Sequence, residues 1–262
     1  MSPRVVSLAC SNTEIVCALG CADLLVGVDS HSDRPAEALA GLPRVGPDLQ
    51  IDIAAVCALQ PDLVLASLTV PGHERVVAGL EAAGLRYLAP QPVSLEDVYA
   101  SIREIAHALG VAERGEALIH KMRAELVDCS AEAAPSVLVQ WWNRPTIAPG
   151  RRSWVHDLLV LAGARNPLGE EEVRSRPLSD EEVAALDPDA IVVSWCGVDP
   201  RKYRPEVVRR NPAWQGVRAV QRGAVFCVPE AYLGRPGPGL VAGYRALREI
   251  VEVVRADRQP VT

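Results

Sequence analysis

The chain has 262 residues, of which 49% are hydrophobic and 23% charged, and its 33 acidic residues against 27 Lys and Arg give a formal net charge of −6. This composition is typical of a globular protein and excludes disordered and fibrous architectures. An acidic chain without a run of Lys and Arg is unlike a nucleic-acid-binding protein, and no apolar stretch reaches the ~18 residues of a membrane span.

The first residues predict a strand that runs directly into a helix. Val5–Ala9 is a short apolar run, and the polar Ser11-Asn12-Thr13-Glu14 follows it. A secretory signal instead needs a basic segment, an apolar segment of about 7–15 residues and a small-residue cleavage site. The seven cysteines are odd in number and scattered, which is typical of free thiols in a reducing compartment. We therefore expect a cytoplasmic protein as encoded, with the periplasm or cell envelope as the alternative if a signal was removed.

Short apolar runs alternate with helical patterns along the chain, which is the signature of an α/β fold with mostly parallel sheets. The predicted strands, in chain order, are Val5–Ala9, Leu24–Val28, Leu63–Ala66, Leu85–Leu88, Ser136–Gln140, Ile191–Ser194 and Ala224–Val228. Four residues have the pattern of helix N-caps: Asp52, Ser94, Ser153 and Ser179. Ser94 and Ser179 also have an acidic residue three positions later, which is the spacing of a capping box.

A long helical pattern in the middle of the chain predicts a connecting element. Ala112–Ala133 contains no Pro, and as one helix it would be about 33 Å long at 1.5 Å per residue. We therefore predict an N-terminal lobe at 1–110, a connecting helix at 111–134 and a C-terminal lobe at 135–262. The alternative is a surface helix of a single domain.

An internal repeat supports two similar lobes. Ala58-Leu59-Gln60-Pro61-Asp62 and Ala185-Leu186-Asp187-Pro188-Asp189 each follow a helical pattern and precede a buried strand. Proline ends the helix because its ring clashes with the preceding turn. Two similar lobes predict a ligand cleft between them, since ligands of open α/β sheets bind beyond the carboxyl ends of the strands.

The aromatic residues cluster at the predicted strand ends of the C-terminal half. All five Trp come after position 140. Trp141 and Trp142 follow one strand, Trp195 follows another, and Tyr232 lies just past a third. Large rings at these positions are suited to covering a flat, bulky ligand, whereas core packing is the alternative for each ring taken alone.

The motifs of common catalytic and metal sites are missing from the sequence. There is no G-x-S-x-G, P-loop, dinucleotide fingerprint or H-E-x-x-H, and the five His are dispersed. We therefore expect no catalytic residue, no metal site and no cofactor of its own. His31 follows the second strand and is a candidate ligand contact.

Several segments spread over nearly the whole chain carry a family resemblance. They are Arg4–Leu8, Asn12–Gly20, Val26–Val28 with Ser32–Pro35, Leu42–Gly46, Leu59–Val64, Pro149–Ser153, Ala185–Asp189, Asn211–Trp214 and Arg235–Gly239. Together these segments resemble the cobalamin-binding proteins of ABC importers, which belong to the helical-backbone substrate-binding family that also takes iron–siderophores and haem.

The resemblance implies two Rossmann-like lobes joined by one long helix, with the ligand held between them. Carried over by position, the contact residues are Ser11, Asn12, Thr13, His31, Leu68, Trp141, Trp142, Ser153, Trp195, Tyr232 and Arg235. The family often has an aromatic residue at the positions of His31 and Leu68. Glu74 and Glu181 match the glutamates that dock onto the membrane permease, although both would also favour a helix N-terminus.

These observations predict a non-enzymatic corrinoid-binding protein, with cobalamin or cobinamide as ligand. It would act as a substrate-binding component or as a cytoplasmic corrinoid carrier, as a monomer, with an ABC permease as a possible partner. The first alternative is a ferric siderophore or haem, because Arg151, Arg152 and Arg235 suit anionic groups and His31 or a Tyr suits iron. A chelatase-like enzyme and an interaction module without a ligand are further alternatives.

Overall fold

A computed structural model describes residues 2–131 and 133–258, and it has an α/β fold with mostly parallel sheets. The strands are β1 (Val5–Ser7), β2 (Leu25–Val28), β3 (Leu63–Leu65), β4 (Tyr87–Leu88), β5 (Val137–Gln140), β6 (Thr146–Pro149), β7 (Ser175–Leu178), β8 (Ala190–Val193) and β9 (Val225–Cys227). The helices are α1 (Cys10–Ala18), α2 (Ile53–Ala58), α3 (His73–Ala82), α4 (Leu95–Ala108), α5 (Ala112–Glu125), α6 (Trp154–Leu161), α7 (Asp180–Leu186), α8 (Pro205–Arg209), α9 (Arg218–Gln221), α10 (Glu230–Leu233) and α11 (Leu240–Arg258). Short 3₁₀ turns lie at Ala22–Leu24, Pro200–Lys202 and Pro212–Trp214.

The chain forms two compact units. One contains the residues up to Pro92 together with Glu96–Met122, and the other contains Val93–Leu95 and the residues from Arg123 onward. We call them the N-terminal unit and the C-terminal unit. The outer ends of the two predicted lobes, at Met1 and Thr262, and Glu132 of the predicted connecting helix lie outside the described residues.

The N-terminal unit contains a four-stranded parallel sheet in the order β2-β1-β3-β4. Every residue of β1 and β3 is buried, as expected for a parallel sheet that is covered on both faces. The register places Ser7 opposite Val28 and Leu65. The loops after these strands therefore leave the sheet at the same edge.

The C-terminal unit contains a three-stranded parallel sheet, β5-β8-β9, and a separate antiparallel pair, β6-β7. Gln140 pairs with Val193, and Val193 pairs with Cys227. Each of the seven predicted strands overlaps a strand of the structure, and six contain it whole; β8 begins one residue before the predicted Ile191–Ser194. The pair β6-β7 was not predicted, because only Leu178 of β7 is buried and Pro177 interrupts the expected strand composition.

The predicted helix starts agree with the structure. The side chains of Asp52 and Ser153 accept hydrogen bonds from the backbone N–H groups of Ala55 and Val155. Ser179 and Glu182 form the complete capping box. Helix α4 begins at Leu95, directly after Ser94.

The connecting helix predicted for 111–134 is shorter than expected. Helix α5 has 14 residues and ends at Glu125, which is about 21 Å of helix. The Asp128 carboxylate accepts hydrogen bonds from the Ser130 N–H (2.9 Å) and the Ser130 hydroxyl (2.5 Å), while the Cys129 N–H donates to Leu161 O at 2.8 Å. These bonds compete with helical ones and turn the backbone away from the helix. Most of α5, up to Met122, belongs to the N-terminal unit.

Candidate ligand-binding site

The two strongest candidates for ring contacts lie on a closed turn after β5. The Trp141 N–H donates to Ile147 O at 2.8 Å, and the Ile147 N–H donates to Trp142 O at 3.1 Å. These two bonds fix the backbone that carries both indoles. Trp142 is 44% exposed, which is unusual for the largest apolar side chain and makes it a candidate for ligand contact.

Trp141 is half-buried against helix α6. Its ring centroid lies 5.9 Å from that of Trp154, with 37° between the ring planes. The Trp154 indole donates to Leu233 O at 2.7 Å, which ties α6 to α10. The Nε1 atom of Trp141 is buried and has no hydrogen-bond partner among the described residues. Trp141 therefore packs into the C-terminal unit and leaves only part of its ring at the surface.

Trp195 lies in the core of the C-terminal unit, as in the core-packing alternative to the predicted ligand contact. It is 8% exposed, its Nε1 donates to Gln140 Oε1 at 3.1 Å, and its ring packs edge-on against Tyr203 at 5.7 Å. The reason is the strand register, because Trp195 lies two residues beyond Val193 and so on the same face as Gln140. Trp195 thus stabilises the end of the sheet.

The polar candidate residues of the C-terminal unit form hydrogen bonds or ion pairs with other residues of the same unit. Ser153 is 2% exposed, and its hydroxyl caps α6 by accepting from the Val155 N–H at 3.2 Å. Arg235 Nε lies 3.2 Å from Glu230 Oε2, and both side chains are largely buried. Tyr232 is half-buried on α10, one turn from this ion pair. The ion pair holds the Arg235 side chain against Glu230, the first residue of the helix that carries Tyr232.

Asn12 and Thr13, at the start of α1, cross-link the loops of the N-terminal unit. The Asn12 amide donates to Ala66 O at 2.6 Å. Thr13 Oγ1 lies 2.8 Å from both Ser7 Oγ and Ser32 Oγ. These side chains and Ser11 are at most 7% exposed. Their main role in this structure is to hold the carboxyl ends of β1, β2 and β3 together.

Two histidines lie close to the carboxylate of Asp48, near the same edge of the N-terminal sheet. Asp48 lies 3.5 Å from Nε2 of the buried His73 and 3.8 Å from Nε2 of His31, whose side chain is 53% exposed. The interaction with His73 holds the pKa of Asp48 below its usual value, although partial burial opposes this shift. His31 is thus an accessible imidazole that faces a carboxylate.

The pKa of Asp29 is shifted in the opposite direction to that of Asp48. It is fully buried, and burial raises its pKa, although hydrogen bonds from Ser32 and from the His31 N–H oppose the rise. The His31 N–H donates to Asp29 Oδ2 at 2.8 Å. Asp29 therefore fixes the loop that presents His31.

Two exposed aliphatic residues in the N-terminal unit were not identified from the sequence. Leu49 and Val70 are 46% and 41% exposed, and they accompany the half-buried Leu68 on loops near the carboxyl edge of the sheet. His73 joins these loops, because its Nδ1 accepts from the Val70 N–H at 3.3 Å while its Nε2 faces Asp48. No sequence pattern distinguishes an exposed loop aliphatic from a buried one.

The two predicted docking glutamates are both found in first helical turns. Glu74 Oε2 accepts from the Gly72 N–H at 2.8 Å, and backbone hydrogen bonds lower the pKa of Glu74. Glu181 is exposed in α7, where Glu182 completes the capping box. Among the described residues, no group of three or more His, Cys, Asp or Glu is arranged to hold a metal ion. No helix in that part of the chain combines the length and the apolarity needed to cross a bilayer.

Comparison with known families gives a match along most of the chain. The family described as "Periplasmic binding protein" matches residues 5–232. An uncharacterized ABC transporter substrate-binding lipoprotein, YvrC of Bacillus subtilis, is 30% identical over 95% of this chain and 79% of its own length. The vitamin B12-binding protein of Vibrio cholerae serotype O1 is 29% identical over 90% of this chain and 84% of its own length.

Solved structures agree with this fold and differ in ligand. The periplasmic vitamin B12-binding protein BtuF of Vibrio cholerae superposes with a TM-score of 0.76 at 25% identity, covering 98% of each chain. A periplasmic heme-binding protein from Pseudomonas aeruginosa superposes with a TM-score of 0.80 at 30% identity, covering 96% of this chain and 93% of its own.

Proposed function

The chain belongs to the periplasmic binding protein family, and from this premise we propose that it binds a corrinoid, without catalysing a reaction, as the substrate-binding component of an ABC importer. The proposal covers cobalamin and cobinamide, which share the corrin ring. The protein carries no cofactor of its own in this proposal, and the corrinoid is its cargo.

One observation supports this proposal more than any other. Trp142 exposes 44% of its surface on a turn that two backbone hydrogen bonds hold closed. A rigid, exposed indole binds a broad, flat ligand face at little cost in conformational entropy. The similarity to a vitamin B12-binding protein over 90% of the chain favours a corrin among such ligands.

The contact residues proposed on the C-terminal unit are Trp142, part of Trp141, Tyr232 and Arg235. On the N-terminal unit we propose His31 and Leu68. Asn12, Thr13, Ser153 and Trp195 are proposed to support the site through the hydrogen bonds described above, and the buried Ser11 through packing, rather than through large contact areas. This division follows burial, since the supporting side chains are at most 8% exposed.

Haem is the second candidate ligand, for a specific reason. His31 presents an imidazole with 53% side-chain exposure, and imidazole is a common axial ligand of haem iron. The 30% identity to a heme-binding protein from Pseudomonas aeruginosa gives this candidate similar support. A ferric siderophore is the third, and an exposed Arg152 beside the site would suit its anionic groups.

The names of the relatives support an envelope location for the proposed function. One relative is named a lipoprotein and another structure is named periplasmic, which favours the alternative to the cytoplasmic expectation. Glu74 and Glu181 would then contact the permease, and the binding protein would act as a monomer.

Calorimetric titration with cyanocobalamin, dicyanocobinamide and haemin, with absorbance spectra alongside, tests the proposal. We expect sub-micromolar binding of at least one corrinoid, with no product formed on prolonged incubation. Binding of haemin with neither corrinoid would replace the proposal by the haem alternative. Turnover of any of the three compounds would contradict a purely binding role.

A further inference from the structure

The C-terminal unit contains a polar pocket that the proposed ring contacts do not use. It has a volume of about 370 Å³ and is formed by three segments, 143–146, 178–180 and 207–212. A pocket of this size accommodates a small polar group of a larger ligand. Its walls include Asn143, Arg144, Thr146, Asp180, Val207 and Asn211.

The pocket wall begins at Asn143, the residue after the exposed Trp142 in the chain. Trp142 is followed directly by Asn143 and Arg144, and the hydrogen bond from the Ile147 N–H to Trp142 O closes this turn. Thr146 Oγ1, which is 4% exposed at the residue level, lies 3.0 Å from Gln140 Nε2 and 3.4 Å from Asn143 O. Trp142 and the pocket residues 143–146 therefore belong to one hydrogen-bonded turn.

The opposite wall is also fixed in position. The Asn211 amide donates to Asp180 Oδ1 at 3.0 Å, and the Trp214 indole donates to Asp180 O at 3.2 Å. The Ala213 N–H donates to Asn211 Oδ1 at 3.1 Å. A wall that is already ordered costs little conformational entropy when a ligand binds.

The two charged side chains of the pocket differ in their partners. The Asp180 carboxylate accepts a hydrogen bond from the Asn211 amide. The guanidinium of Arg144 is exposed and forms no ion pair within the described part of the chain. A free guanidinium in a polar pocket recognises phosphate or carboxylate oxygens through its fork of N–H donors. The carboxylate of Asp180 opposes an anion and so limits the affinity.

We propose that this pocket is a subsite for an anionic arm of the ligand that stacks on Trp142, with Arg144 as the group that recognises it. The inference rests on the proposed function and makes it more specific. A complete corrinoid carries a phosphodiester in its nucleotide loop, whereas cobinamide lacks this phosphate. The same subsite would take a propionate if the ligand is haem.

The test compares cyanocobalamin with dicyanocobinamide on the wild type and on two variants with opposite expected effects. Arg144→Gln should weaken cyanocobalamin binding by about fivefold and leave dicyanocobinamide unchanged. Asp180→Asn should strengthen cyanocobalamin binding by a smaller factor, because it removes a repulsive charge and keeps a group that pairs with Asn211. Arg222→Gln, an exposed arginine outside the pocket, is the charge-matched control.

The possible outcomes separate this inference from the proposed function. If both corrinoids bind the wild type and Arg144→Gln affects them equally or not at all, the subsite is wrong while corrinoid binding stands. If only haemin binds, the proposed function is wrong. In that case weaker binding of haemin, but not of its dimethyl ester, to Arg144→Gln supports the subsite, and equal effects overturn it. If the wild type binds none of these compounds, both proposals are wrong.

Discussion

The same pair of hydrogen bonds holds an aspartate at the start of a strand in each of the two units. In the N-terminal unit, Asp62 accepts the Arg4 N–H at 2.7 Å, and the Asp62 N–H donates to Arg4 O at 2.8 Å. In the C-terminal unit, Asp189 accepts the Ser136 N–H at 2.8 Å, and the Asp189 N–H donates to Ser136 O at 2.8 Å. The Pro-Asp pair of the internal repeat therefore has the same function twice. Its aspartate fixes the start of a strand against the residue before the neighbouring strand.

The environment of this shared motif differs between the units. Asp189 is 1% exposed and also pairs with Arg218 Nη1 at 2.7 Å, while Arg218 Nε pairs with Asp187 Oδ2 at 2.7 Å. Asp62 is exposed and accepts its bond at the surface. The same hydrogen bond should therefore contribute more to stability in the C-terminal unit, because water cannot replace it there.

The carboxyl ends of the two sheets differ more strongly. The N-terminal sheet ends in short polar side chains that bond to each other, such as Thr13 with Ser7 and Ser32. The C-terminal sheet ends in Trp141 and Trp142 on a closed turn. One strand framework thus supports a polar cross-linked edge in one unit and an aromatic surface in the other, and the predictions below test this difference.

The largest expected effect concerns the shared motif. Asp189→Ala should lower the free energy of unfolding by about 3 kcal/mol, because the Ser136 N–H is left buried without its acceptor and Arg218 loses a partner. Asp62→Ala should lower it by only about 1 kcal/mol. Urea denaturation measures both, with Trp fluorescence for the C-terminal unit, which holds all five Trp, and circular dichroism for the whole chain. Equal losses in the two variants would contradict the assigned difference in environment.

The second effect concerns ligand affinity. Trp142→Ala should weaken binding of the preferred ligand by about thirtyfold, corresponding to roughly 2 kcal/mol, because it removes the exposed ring of the proposed contact surface. Trp142→Phe keeps an aromatic ring and should lose only about threefold. Both variants should unfold at the urea concentration of the wild type. An unchanged affinity for Trp142→Ala would remove this residue from the proposed site.

The third effect separates stability from binding. Trp195→Phe should lower the free energy of unfolding by about 1.5 kcal/mol, since Gln140 Oε1 loses the indole donor in the core. Ligand affinity should change less than about twofold, because a side chain that is 8% exposed offers little contact area. A loss of affinity as large as that of Trp142→Ala, without a loss of stability, would instead make Trp195 a direct contact.

Features with a strong local cause were predictable from the sequence. The buried strands were recognisable from their apolar runs, and the caps at Asp52, Ser153 and Ser179 from side chains that satisfy nearby N–H groups. The end of α5 was not, because it depends on the local Asp128–Ser130 bonds together with a bond between Cys129 and Leu161, 32 positions along the chain. The sequence left the burial of Trp195 open for a similar reason, since it depends on the face of the strand that meets Gln140.

The exposed aliphatic loop residues of the N-terminal unit were also beyond sequence reasoning. The exposure of Leu49 and Val70 follows from how His73 and Asp48 join two loops, which no local pattern encodes. Arg144 was likewise not identified, because the pocket beside it is assembled from three separate segments. The sequence was informative about which residues could bind a large ring and uninformative about which of them face solvent.

The smallest expected effect tests the electrostatics of the N-terminal edge. The interaction with His73 lowers the pKa of Asp48 from the ordinary value of 3.8, so the ionised carboxylate is favoured in the folded state. This contribution is present above pH 3.8 and is lost as the pH falls through the lower pKa of the folded state. Asp48→Asn should therefore be less stable than the wild type at pH 6, by less than about 1 kcal/mol because Asp48 is partly exposed, and the difference in free energy of unfolding should narrow below pH 4.

Glu171→Gln is the comparison in the C-terminal unit, because a hydrogen bond from Arg176 lowers the pKa of Glu171 in the same direction without involving a histidine. Hydrogen exchange of the loop amides around Val70 gives a readout confined to the N-terminal unit, and exchange that Asp48→Asn leaves unchanged at pH 6 would show that Asp48 does not hold the two loops together.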